Sequence, residues 1–182
     1  GVGKNMNSKL KLITYFVSVT SSCFAANAGL FGQEVGVAKC HDSMKVLSSS
    51  VKFELSGVSK YSNGNMYEGN AANLGLSGAK TILFVCEKDD TLSAIQLVIN
   101  KDYFNDYQKM LKAKYKQVKL INPSVGDKLA RYTQGNSAVL LIAPHLSFDM
   151  KLSYATNKFW KDMETTNNQE QQSSQKYQQN AL

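Results

Sequence analysis

Arginine is almost missing from this chain. Of its 21 basic residues, Arg131 is the only arginine and the rest are lysine. Readers of nucleic acid lean on arginine for paired contacts to phosphate and guanine. The net charge of +7, carried by lysine, therefore reads as solubility, and no nucleic-acid partner is expected. Lys4, Lys9 and Lys11 all precede Ala28 with no acid among them. The remaining 18 basic and 14 acidic residues leave only +4.

Other absences narrow the chemistry further. The two histidines, His41 and His145, are far apart and there is no C-x-x-C, so the clustered ligands of a metal site are not in view. No G-x-G-x-x-G stands at a strand–helix junction, and there is no P-loop or H-E-x-x-H. Gly75-Leu76-Ser77-Gly78 is too short and too uncharged to cradle phosphate. No metal and no cofactor is expected.

What is present begins with an export pattern. Gly1 to Asn5 precede Met6, which reads as the true start. Lys9 and Lys11 then form a positive region, and Leu12 to Val19 an apolar one too short to span a membrane. Small residues follow, with expected cleavage after Ala25 or Ala28. Residues 1–28 are thus assigned to upstream residues and a secretory signal. Thr20-Ser21-Ser22-Cys23 resembles the lipobox of bacterial lipoproteins, with Thr20 where an aliphatic residue is usual. Lipid attachment at Cys23 would tether the protein, and membrane contact is expected only in that case.

The densest apolar stretch of the remainder is Thr81 to Asn100. It reads as two strands around a charged turn at Lys88-Asp89-Asp90. Its first half is rich in β-branched and aromatic residues. Ile82, Phe84 and Cys86 share one face and Leu83 and Val85 the other. Both faces are apolar, which predicts a central strand covered on both sides.

Around this hairpin the pattern alternates between helix and strand. Val37, Cys40, Met44 and Leu47 share a helical face. Val51 to Gly57 reads as a strand, with Val51, Phe53 and Leu55 inward. Ser59 to Gly78 is rich in Gly, Asn and Ser and reads as an irregular hairpin or a long loop. Asp102 to about Lys114 forms a helix whose apolar face is Tyr103, Phe104, Tyr107, Met110, Leu111 and Tyr115. Strands are expected at Val118 to Ile121, Leu129 to Thr133, Ser137 to Ala143 and Met150 to Tyr154, and a last helix from Asn157 to Glu164. The expected fold is α+β, an antiparallel sheet packed by two or three helices, with a weak tandem helix-then-strands arrangement. One domain spans 29–165, and 166–182 is a polar tail expected to be disordered.

Three clusters bear on function. Cys40 and Cys86 lie on apolar faces and are expected to form a disulfide in an oxidising compartment. Tyr61, Met66 and Tyr67 in the Gly/Asn-rich segment, and the lysines Lys109, Lys112 and Lys116, are the candidate contact surfaces. His145, Ser147 and Asp149 are a Ser/His/Asp set without a nucleophile elbow, and Leu146 and Phe148 between them are expected to pack inward. The expected function is that of an exported, periplasmic or secreted bacterial protein that binds another protein or an envelope component without catalysis. The alternatives are a small hydrolase or a lipid-anchored envelope protein.

Overall fold

The computed structural model describes residues 25–181. Most of the signal segment, Cys23 included, lies outside the described residues.

The chain opens with a small hairpin, β1 (Gly29–Leu30) and β2 (Gln33–Glu34), turned at Phe31 and Gly32, both with positive φ. A short helix, α1 (Cys40–Val46), follows. Four strands come next: β3 (Glu54–Val58), β4 (Asn63–Asn70), β5 (Ala79–Glu87) and β6 (Leu92–Asn100). A single 3-10 turn at Lys101–Tyr103 leads into α2 (Phe104–Lys114). Four more strands follow, β7 (Lys116–Ile121), β8 (Lys128–Gln134), β9 (Ser137–Ala143) and β10 (Asp149–Thr156). The last described element is α3 (Asn157–Ala181).

The eight long strands form one antiparallel sheet in the order β3-β4-β5-β6-β10-β9-β8-β7. Each half is a helix followed by a four-strand meander, and the halves meet where the fourth strand of one pairs with the fourth of the other. The tandem arrangement read from the sequence is present, and the fold is α+β. The charged turn at Lys88–Asp90 closes the β5–β6 hairpin, with Asp90 at positive φ.

The inner face of the sheet carries the main core. Ile82, Phe84, Ile95, Leu97, Val139, Leu141, Met150 and Leu152 are buried there with Cys40 and Leu47 from the α1 region and Phe104, Tyr107 and Leu111 from α2. Fully burying such side chains contributes on the order of 1.5–3 kcal/mol each. Hydroxyls fasten the helix to its surroundings: Tyr107 donates to the Ser77 carbonyl at 2.9 Å, and Tyr132 to the Gln108 carbonyl at 3.1 Å. Cys40 and Cys86 are joined in a disulfide with Cα atoms 6.2 Å apart, pinning α1 to β5.

Several local expectations are corrected. On α1 Cys40 is buried as expected and so is Ser43, which donates to Gln33 Oε1 at 2.8 Å, while Val37 stands 61% exposed before the helix begins. Leu55 is exposed because β3 is an edge strand with a register shift at Gly57. Met110 is exposed, since helical spacing alone does not tell which turn leaves the sheet. Leu146 and Phe148 point to solvent. The segment after Glu164 is helical to Ala181; it contains neither Gly nor Pro and is rich in Gln, which favours helix where no packing decides.

Candidate functional site

Among the described residues, α3 is the helix that crosses the outer face of the sheet. Cross-strand registers define which side chains stand there together. One row runs Met66, Val85, Ala94, Ala155, Ala138, Thr133 and Lys116. The next runs Glu68, Leu83, Gln96, Ser153, Leu140, Arg131 and Lys119. Its centre is built from small side chains, Ala94, Ala155, Ala138 and Ser153, which leave depth beneath anything laid over them.

α3 is that cover, and it is fastened at two places. At its start, Phe159 N donates to Thr156 Oγ1 at 3.1 Å, an N-cap interaction, and Trp160 Nε1 donates to the Ala138 carbonyl at 3.2 Å. Two to three turns later, Tyr61 Oη donates to Asn167 Oδ1 at 3.2 Å, and Lys60 Nζ reaches both carboxylate oxygens of Glu170 at 2.8 and 2.9 Å. Phe159 is buried against Val85, Ala94 and Ala155, and its ring meets Tyr61 edge-on at 5.7 Å. Between the fastenings, Met163 is the helix side chain over the gap.

The gap is a groove of about 460 Å³, within the range of small-molecule sites. Val58, Tyr61, Met66, Leu83 and Val85 supply much of its apolar wall, with Phe159, Trp160 and Met163 as roof. Its polar groups are few. Gln96 Nε2 donates to Ser153 Oγ at 3.2 Å on the floor. Lys60 stands at the rim, and its hydrogen bond to Glu170 raises the lysine pKa. The remaining lining is almost wholly apolar, with Ser59 the other serine.

The other sequence candidates are distributed around this site. Tyr61 and Met66 line the groove. Tyr67 is on the opposite face, in register with Phe84 and edge-on to His41 at 5.7 Å. All three are half-buried on or beside strand β4, so of the irregular hairpin and the long loop expected for this Gly/Asn-rich segment it is the irregular hairpin that forms. Lys109 and Lys112 are exposed on α2. Lys116 does not continue their stripe: α2 ends at Lys114, Tyr115 is extended, and Lys116 stands opposite Thr133 on the outer face. Sequence spacing missed Trp160 and Met163 as site residues, because only the path of α3 across the sheet brings them to β5 and β6.

His145, Ser147 and Asp149 do not converge. Ser147 Oγ donates to the Asp149 backbone carbonyl at 2.8 Å, the Asp149 carboxylate takes Lys80 at 2.6 Å, and the His145 backbone N–H donates to Asp127 at 2.7 Å. His41 Nδ1 lies 2.6 Å from Asp90 Oδ1. Asp90 also lies beside the Cys40 and Cys86 sulfurs, but both sulfurs are spent in the disulfide, leaving one carboxylate for a cation. Among the described residues no helix is long and apolar enough to cross a membrane. The chain matches no family model, no curated protein and no solved structure.

Proposed function

We propose that this is an exported, periplasmic or secreted binding protein, and that it holds an apolar or amphiphilic envelope component between α3 and the outer face of the sheet. The observation that carries the reading is the groove itself: an apolar site of about 460 Å³ with a polar pair on its floor and a helix strapped over it. The export reading is supported by the Cys40–Cys86 disulfide, a bond that persists in oxidising compartments, together with the signal pattern before Ala28. The floor pair, Gln96 and Ser153, offers a donor and acceptors to a single polar group of a ligand whose remainder is apolar.

Fluorescence titration with cis-parinaric acid tests the site. Wild-type protein is expected to bind the probe saturably. Ala155→Phe, which fills the groove floor, and Met163→Asp, which places a charge in the roof, are expected to weaken binding at least tenfold while circular dichroism stays unchanged. No saturable signal in the wild type, or equal affinity in both folded variants, removes the reading.

A further inference from the structure

The row of side chains that floors the groove is charged at both ends and uncharged between. It starts with Glu54 and Glu68 on β3 and β4, and it ends with Arg131 and Lys119 on β8 and β7. The four strands between contribute Leu83, Gln96, Ser153 and Leu140. The chain's single arginine therefore stands on the same line as the polar pair of the groove floor. Ser153 and Arg131 are two strands apart, roughly 10 Å at the backbone. A flexible arginine side chain covers much of that gap.

A second cavity, of about 600 Å³, adjoins the groove at this basic end. Trp160 and Met163 line both spaces, so the two meet under the same face of α3. Their walls differ. In the second cavity Arg131 and Lys161 stand against one acid, Glu164. None of the ion pairs among the described residues includes Arg131, Lys119 or Lys161. At the far end the lysines are taken up, Lys52 by Glu54 at 3.1 Å and Lys60 by Glu170 at 2.8 Å. Glu68 is the charge left over there.

We propose, resting on the groove reading above, that the occupant is a single-chain amphiphile with an anionic head. Its chain lies in the groove from Val58 toward Ser153. Those residues are four strands apart, roughly 19 Å, the length of an extended long-chain acyl group. The head begins at Gln96 and Ser153, and its negative charge faces Arg131 and Lys161. The reverse direction would place an anion beside Glu68, and a neutral head would leave the arginine without a counter-charge. Arginine presents a fork of donors that matches a carboxylate or a phosphate.

Competition for bound cis-parinaric acid tests this with residues 26–182. Three competitors share an oleoyl chain and differ in the head: oleate, lysophosphatidic acid and neutral monoolein. At about pH 8, where carboxyl groups are ionised, at least one of the two anions is expected to compete on the order of fivefold better than monoolein, the scale of an exposed ion pair. Whichever anion holds the advantage distinguishes a carboxylate head from a phosphate one. The gap is expected to narrow as salt is raised. Arg131→Gln/Lys161→Gln changes only exposed side chains and is expected to bring the anions down to the level of monoolein, whose own competition reports an intact groove. Equal competition by all three in the wild type, or a gap unchanged in the double variant, overturns the proposal and leaves the groove reading standing. Absence of cis-parinaric acid binding by the wild type removes both.

Discussion

Leu97 of β6 stands directly opposite Leu152 of β10 at the middle of the eight-stranded sheet. Leu97 is fully buried and Leu152 nearly so. Among the described residues, these two strands are the only pairing between the helix-and-meander halves within this sheet. The halves are therefore expected to unfold together. Leu97→Ala leaves a cavity at the seam and is expected to cost about 2–5 kcal/mol. Urea unfolding followed by both tryptophan fluorescence and far-ultraviolet circular dichroism checks it. Coincident transitions, shifted by the same amount, are the expected result; separated ones would show halves that fold alone.

The disulfide closes a loop between residues 46 apart in sequence. Holding α1 against β5 restricts the unfolded chain more than the folded one. Replacing both cysteines with serine is expected to lower stability by about 3–4 kcal/mol. The same loss on reduction of the wild type, and no further loss on reducing the variant, identifies the bond as the cause.

Alkaline pH is expected to destabilise the fold. Burial raises the phenol pKa values of Tyr154, Tyr132 and Tyr107 above their ordinary value of 10.0. Below that value the hydroxyls are protonated in folded and unfolded chains alike, and their full contribution is present. Above it the unfolded chain releases protons that the folded one retains, so stability falls as pH rises. Melting temperatures are expected to hold to about pH 9 and drop beyond 10, with a shallower drop in Tyr154→Phe.

Residues 27 and 28 belong to the fold. Asn27 Nδ2 donates to the Val35 carbonyl at 2.9 Å and its Oδ1 accepts from Asn136 N at 2.7 Å. Ala28 is fully buried, with its N–H on Ser137 Oγ at 2.7 Å and its carbonyl accepting from Val35 N at 3.1 Å. Cleavage after Ala25 keeps these bonds and cleavage after Ala28 removes them. A chain starting at Gly29 is expected to be about 2–4 kcal/mol less stable than one starting at Ala26. Thermal melting of the two compares them directly, and equal melting temperatures would show that the segment adds nothing.

The sequence by itself determined the parts that local pattern controls. An apolar, β-branched run located β5, the alternation of Met150, Leu152 and Tyr154 with Lys151 and Ser153 located β10, the Gln134-Gly135-Asn136 turn located the β8–β9 hairpin, and two cysteines on apolar faces located the disulfide. Periodicity reports which face of an element is apolar, and that is enough to assign elements and pair a core. Only the tertiary structure decided what lies on the other side. Leu146 and Phe148 look like core residues until Lys101, Asp127 and Ser147 hold their backbone outward. Trp160 and Met163 look like the face of an ordinary helix until Lys60 and Tyr61, about a hundred residues away, fix the course of α3 over Ala94 and Ala155. These outcomes depend on bonds between distant segments, and the energies that set them are absent from any single stretch of chain.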